Sequence, residues 1–253
     1  MSRYIRGSRL AKGWHGKVFK CVDRKTNRDL AMKVISKSLS GINFEELKGE
    51  VEIMKGLINY NIMRCFDSFE DEDHVYIILE YMEGGNLQQL LYKGRLDEPT
   101  IVRMLEQMLM ALCCLKDHRI IHGDIKPGNI FLRKDGSIAL GGFGCAQQLD
   151  SPEDEALGGG LTLRYASPER RLLMPYDYSA DIWSLGVVLY EMCTGQYPFE
   201  SPQNMFEGRY NRINPSVDGT LQKMIKLMLQ IEKEKRPSAR ELLTILNDEY
   251  VHC

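Results

Sequence analysis

Ile120-Ile121-His122-Gly123-Asp124-Ile125-Lys126-Pro127-Gly128-Asn129-Ile130-Phe131 is the stretch that decides how the 253-residue chain is read. An Asp, a Lys two positions on and an Asn five positions on sit on a loop between a long helical pattern and a short apolar run. A carboxylate can take a proton, an ammonium can neutralise developing negative charge, and an amide oxygen can ligate a hard cation. Singly, each is an ordinary loop residue. Held together at this spacing and framed by apolar residues, they make a strong combined signal. After a short turn comes Ile138-Ala139-Leu140-Gly141-Gly142-Phe143-Gly144, an apolar run that enters a glycine turn.

Upstream, Asp97-Glu98-Pro99 is a helix-start signature, with Asp97 as the cap and Pro99 in the first turn of a helix through Leu115. Residues 86–91 form a shorter helix, and 80–85 read as a connector. Apolar runs at 62–69 and 75–80, joined by an acidic turn at 70–73, predict two strands. Residues 44–57 carry Leu47, Val51, Met54 and Leu57 at helical spacing. Between Tyr4 and Ile35 the pattern is that of strands, with a hairpin loop at 23–27 and a glycine-rich turn over 10–18. There Gly13 and Gly16 would let backbone amides approach phosphate oxygens. Taken alone these two glycines suit a plain hairpin as well. Lys33, flanked by Ala31 and Val34, lies on the third strand, and Glu50 lies on the helix that follows. Downstream, Thr162-Leu163-Arg164-Tyr165-Ala166-Ser167-Pro168-Glu169, Asp181-Ile182-Trp183-Ser184-Leu185-Gly186 and Arg236-Pro237-Ser238 are three further blocks. Residues 178–193 are apolar on most sides, which predicts a buried helix ended by Tyr197-Pro198-Phe199. Two amphipathic helices follow, at 217–229 and 240–246.

Together these blocks resemble a eukaryotic protein kinase domain, over essentially the whole chain, and Lys126 within Asp-Ile-Lys-Pro resembles the serine/threonine branch. The resemblance implies a two-lobed α+β fold in one domain. A five-stranded antiparallel N-lobe sheet with one helix would occupy residues 1–80, a hinge 81–85, and a mainly helical C-lobe 86–253. It implies ATP as ligand, held by Leu10, Gly13, Gly16, Val18, Ala31, Lys33, Glu50, Glu80, Met82, Asn129 and Phe131. A Lys33–Glu50 ion pair would aim the amine at the α- and β-phosphates. Asp124 would act as base, Lys126 would neutralise the transferring phosphoryl group, and Asn129 would ligate Mg²⁺. Asp181 would brace the catalytic loop, and Arg236 would pair with Glu169.

The chain departs from this pattern at four places. Ala11 stands where a third glycine belongs. Gly142 stands where the metal-binding Asp belongs, which removes the carboxylate that bridges Mg²⁺ to the phosphates and predicts weakened Mg²⁺ binding. Gly123 replaces an Arg that pairs with a phosphorylated activation segment, so that switch is expected to be missing. Leu161 replaces a glycine before Thr162. Asp150, Glu153, Asp154 and Glu155 are expected to form a solvated loop, and Gly158-Gly159-Gly160 to add flexibility.

Composition narrows the remaining classes. Lys+Arg 33 against Asp+Glu 35 gives a formal charge of -2, which excludes a general nucleic-acid binder. The most apolar long run, 104–115, is too short to span a bilayer and contains Glu106 and Gln107; no signal peptide, myristoyl or prenyl anchor is expected. Seven Cys without zinc-ligand spacing suit a reducing compartment, cytosol or nucleus, and Cys113-Cys114 read as small buried thiols. Two functional expectations follow. The first is a nucleotide-binding pseudokinase that acts as signalling scaffold or allosteric partner; the second is an active Ser/Thr kinase that phosphorylates protein hydroxyls at low rate.

Overall fold

The computed structural model describes residues 3–13, 16–38 and 44–250. The tip of the glycine-rich turn, Trp14-His15, lies outside the described residues, as do Ser2 and Cys253. The chain divides into two compact units, residues 1–83 and 84–253.

The first unit is a five-stranded antiparallel sheet with one helix. Its strands are β1 (Tyr4–Gly13), β2 (Gly16–Asp23), β3 (Arg28–Ser36), β4 (Cys65–Glu70) and β5 (His74–Glu80), ordered β1-β2-β3-β5-β4; α1 spans Phe44–Gly56. Period-two alternation along β3 sorts its residues between the two faces. Leu30, Met32 and Val34 enter a cluster with Tyr4, Cys21, Tyr76 and Ile78. Stacked rings close that face, Phe69 lying 5.8 Å from Tyr4 and 4.8 Å from Tyr76. Burial pushes the Cys21 thiol up to about 11. Ala31, Lys33 and Ile35 therefore belong to the opposite face. On α1, Leu47, Val51 and Met54 are buried at the spacing of one helical stripe. The fourth strand starts at Cys65, later than its apolar pattern suggests. Ile62 and Met63 are buried without joining the ladder, and the Ile62 amide bonds the Asn59 carbonyl instead.

The second unit is mainly helical. In order come α2 (Leu87–Lys93), α3 (Glu98–Asp117), β6 (Ile120–Ile121), β7 (Ile130–Leu132), β8 (Ile138–Leu140) and β9 (Gln147–Gln148). Then follow α4 (Pro168–Arg171), α5 (Ser179–Thr194), α6 (Pro202–Phe206), α7 (Gly219–Met228) and α8 (Ala239–Tyr250). Asp97 caps α3, its carboxylate accepting from the Thr100 amide at 3.1 Å, as the start signature requires. Every residue of α5 from Ala180 to Met192 is buried, the property of a helix that is apolar all round. It ends earlier than Tyr197-Pro198-Phe199. Gly195 takes the left-handed conformation, φ 72°, and its amide closes on the Glu191 carbonyl at 2.8 Å. Phe199 instead stacks on Trp183 at 5.6 Å. Cys113 and Cys114 are half-buried rather than enclosed. No helix among the described residues is long and apolar enough to cross a membrane.

Candidate active site

The loop between β6 and β7 is short and held from behind. His122 is wholly buried, and the Asp124 amide donates to its Nδ1 at 3.2 Å. That bond makes Nδ1 the acceptor, so Nε2–H donates to the Gly141 carbonyl at 3.1 Å. Burial depresses the imidazole's proton affinity and keeps it neutral. The Asp181 carboxylate, on α5, accepts from the His122 amide at 2.7 Å and the Gly123 amide at 2.9 Å. Burial raises its proton affinity, while His122, the two amides and Arg170 pull the other way. The brace expected of Asp181 is present.

Asp124 projects from this braced backbone into a compact polar cluster. Its Oδ1 accepts from the Thr162 hydroxyl at 2.6 Å; its Oδ2 lies 2.6 Å from Lys126 Nζ and accepts from Asn129 Nδ2 at 3.0 Å. Lys126 Nζ also donates to Thr162 Oγ1 at 2.7 Å, and Asn129 Nδ2 to the Asp124 carbonyl at 2.8 Å. A carboxylate offers about four lone-pair sites, so three neighbours leave room for one more donor, such as a substrate hydroxyl. All three residues singled out in the sequence meet. Thr162 was quoted there only as part of a block; a partner 38 residues from Asp124 leaves no local signal.

Gly142 takes the left-handed conformation, φ 83° and ψ 49°. A Cβ at this position would lie 2.5 Å from Asn129 Oδ1 and 2.7 Å from Nδ2, so the Asn129 amide fills the space a side chain would need. Among the described residues no group of three or more His, Cys, Asp or Glu is placed to hold a metal. Asn129 offers one neutral oxygen, and Asp124 is already engaged by three donors. This donor set does not fit a protein-held Mg²⁺, which is ordinarily bound through one or two carboxylates together with substrate phosphates.

In the first unit, Lys33 Nζ lies 3.6 Å from Glu50 Oε1, both side chains largely buried, so the expected ion pair forms. Ala31 and Met82 are buried, Val18 half-buried and Leu10 exposed on β1. Glu80 closes β5, its amide bonding the Arg64 carbonyl at 2.9 Å. Gly13 pairs with Gly16 at the end of the β1–β2 ladder. Gly16 has φ 151°, and any Cβ there would strike the Val34 carbonyl oxygen. Close approach to β3 is thus sufficient reason for that glycine. In the second unit Phe131 is half-buried on β7, where it bridges to Asn86.

The segment from Thr162 to Glu169 is tied to α5. Arg164 Nη2 and the Tyr165 hydroxyl reach Glu191 at 3.0 and 2.9 Å, and Ser184 Oγ donates to the Tyr165 carbonyl at 2.9 Å. Arg236 grips Glu169 bidentately at 2.7 and 2.8 Å and donates to the carbonyls of Ser179, Gln230 and Ile231. All five guanidinium donors are used. Arg236→Lys keeps the charge but supplies three donors, so it is expected to cost about 2 kcal/mol in denaturant unfolding. An unchanged midpoint would mean that the fork contributes nothing. Burial acts to raise the Glu169 pKa, but the Arg236 bonds and charge outweigh it and the net shift is downward. A depressed folded pKa gives stability that is full above the ordinary carboxylate range and lost as pH falls through the folded value. Acid should therefore destabilise wild type more than Arg236→Lys.

Asp150, Glu153, Asp154 and Glu155 are all exposed, as a solvated loop requires; Glu155 also pairs with Lys233 at the surface, and Asp154 accepts the Ser151 amide at 2.7 Å. The glycine run that follows has local structural reasons as well. Gly158 and Gly159 have φ 75° and 79°, and a Cβ on Gly159 or Gly160 would lie 2.6 Å from Gln147 Nε2 or 2.9 Å from Cys145 Sγ. Close packing and positive φ explain the run.

The family model described as protein kinase domain matches residues 4–250. An Aurora kinase of Yarrowia lipolytica is 36% identical over 246 residues, covering 93% of this chain and 66% of that protein. The serine/threonine-protein kinase Nek5 of Mus musculus is 34% identical over 244 residues, covering 92% of this chain and 38% of its own length. A probable serine/threonine-protein kinase nek2 of Dictyostelium discoideum is 36% identical over 260 residues, 96% of this chain and 62% of that protein. The chain thus spans less than two thirds of the length of each of these relatives.

Proposed function

We propose a function on one premise: the chain belongs to the protein kinase domain family, within its serine/threonine branch. The reading best supported is an active Ser/Thr kinase that transfers the ATP γ-phosphoryl group to a hydroxyl of a protein at low rate. The observation that carries it is the intact cluster of Asp124, Lys126, Asn129 and Thr162. The substrate oxygen attacks the γ-phosphorus, its proton passes to Asp124, and the bond to the ADP oxygen breaks. Lys126 would offset charge on the transferring group, and Asn129 holds the Asp124 backbone and carboxylate in place. Lys33, fixed by Glu50, would meet the α- and β-phosphates. Mg²⁺ would enter on the nucleotide's own phosphate oxygens and water, because the protein donors do not fit it. Losing one preorganised electrostatic element lowers rates by roughly 10²–10³, hence the low rate.

The names of the relatives favour this reading over the pseudokinase that the sequence put first. One observation speaks for the latter, the absence of a carboxylate at Gly142. A thermal-shift titration with ATP, with and without Mg²⁺, beside phosphorylation of a generic Ser/Thr substrate separates them. Mg²⁺-dependent stabilisation with measurable transfer is expected. Stabilisation by ATP that ignores Mg²⁺, with no transfer above background, would replace the enzyme by the pseudokinase. A reducing compartment, cytosol or nucleus, belongs to the same proposal. It rests on the seven Cys of the sequence, an odd number without zinc-ligand spacing.

A further inference from the structure

Arg170, on α4 directly after Glu169, is 4% exposed, and its guanidinium turns toward the catalytic loop. Nη1 donates to the Gly123 carbonyl and Nη2 to the Gly160 carbonyl at 2.8 Å, while the guanidinium lies over the Tyr176 ring at 4.5 Å. Gly123 immediately precedes Asp124, and Gly160 lies two residues before Thr162. One fork therefore holds the backbone beside each partner of the 2.6 Å bond between Asp124 and Thr162. The Gly123 residue is clamped on both sides, its amide by Asp181 and its carbonyl by Arg170. Tyr176, beneath the guanidinium, continues the attachment. Its hydroxyl donates to the Gly158 carbonyl at 3.1 Å, and its backbone pairs with Ala156. From 156 to 160 the segment is thus held through its backbone by Tyr176 and the Arg170 cation, and at Thr162 by Asp124 and Lys126.

We propose that Arg170 is a positioning residue that joins the catalytic loop to the segment carrying Thr162, so that Asp124 and Thr162 stay in register without a phosphate on the segment. A phosphate-dependent cation normally acts through an ion pair with an added dianion. Here the cation's acceptors are backbone oxygens that are always present. A planar fork suits this task better than an ammonium, since two nitrogens of fixed separation reach two carbonyls 37 residues apart in sequence. Its use in catalysis rests on the kinase reading above; its use in holding the segment does not.

The test is amide hydrogen exchange of the full chain, after phosphatase treatment, in wild type, Arg170→Met and Arg170→Lys, with Arg171→Met as control. Arg171 donates to the Tyr197 hydroxyl, at 3.2 Å, and not to the catalytic loop among the bonds of the described residues. Loss of charged hydrogen bonds should speed exchange about tenfold or more at 122–126 and 157–164 in Arg170→Met, with α8 unaffected and Arg170→Lys in between. In the phosphorylation assay kcat per folded enzyme, with the folded fraction read from exchange in α8, should fall about tenfold with the KM for ATP unchanged, and Arg170→Lys should restore part of it. Unaltered exchange in both segments, or acceleration spread evenly over the chain, overturns the proposal. If Arg170→Met does not fold, Arg170→Lys is judged by the same criteria. Absence of transfer in wild type would defeat the kinase reading alone, because exchange is read without turnover.

Discussion

Asp124→Asn is expected to lower kcat for protein phosphorylation by about 10²–10⁴ while leaving the KM for ATP within about twofold. The substitution preserves shape and removes the anion. In the native cluster Asp124 accepts from Thr162, Lys126 and Asn129 at 2.6, 2.6 and 3.0 Å. An Asn side chain has one acceptor oxygen for these three donors, and its own amide nitrogen would face a second donor. It also cannot take the proton that the attacking hydroxyl must lose. Groups expected to meet the α- and β-phosphates, Lys33 with Glu50, are untouched. The effect should therefore appear in turnover and not in nucleotide affinity. Steady-state assays with an ATP titration read both. A variant that transfers phosphate at the wild-type rate would remove Asp124 as base, and with it the mechanism.

Much of this site is legible in the sequence because its parts are close together in the chain. Asp124, Lys126 and Asn129 lie within six residues, so spacing alone brings them to one loop. The same locality made the Asp97 cap readable. What was hidden depends on contacts between distant residues. Arg170 meets Gly123 across 47 positions, and nothing in Pro-Glu-Arg-Arg tells which arginine turns inward. Glycine is ambiguous for a different reason. Gly158-Gly159-Gly160 suggested flexibility, yet Gly158 and Gly159 also have positive φ, and a Cβ on Gly159 or Gly160 would lie within 3 Å of a neighbour. Gly195 ends α5 two residues before the aromatic cluster that seemed to do so. In each case one residue type serves freedom, left-handed backbone or close approach, and only the surroundings choose. The same ambiguity surrounds Gly142, where absence of a carboxylate reads at first as absence of function.

Gly142→Asp is expected to raise Mg²⁺-dependent turnover by roughly 10²–10³, the usual magnitude for one preorganised electrostatic element. The gain comes with a structural cost. At φ 83° a residue with a Cβ is strained by about 1–2 kcal/mol, somewhat less for Asp, which tolerates this region. The new side chain must also displace the Asn129 amide, which now lies 2.5–2.7 Å from the Cβ position. Turning Asn129 aside breaks its bonds to the Asp124 carbonyl and carboxylate at 2.8 and 3.0 Å. Each such bond contributes about 1 kcal/mol. Gly142→Ala carries the same Cβ without the carboxylate and therefore isolates the cost. Both variants should unfold at lower denaturant than wild type, while only the Asp variant should gain activity and respond to lower Mg²⁺ concentration. The two effects oppose each other within one cluster, and the carboxylate should win. A metal ligand acts on the charge of the phosphates during transfer, whereas the backbone strain is present throughout and shifts the folding equilibrium, leaving the loosened Asn129–Asp124 bonds as the one cost to the rate. If Gly142→Asp turns over no faster than Gly142→Ala at saturating Mg²⁺, the missing carboxylate is not what limits the native rate. The limit would then lie in the grip of Asn129 on Asp124, which both variants disturb alike.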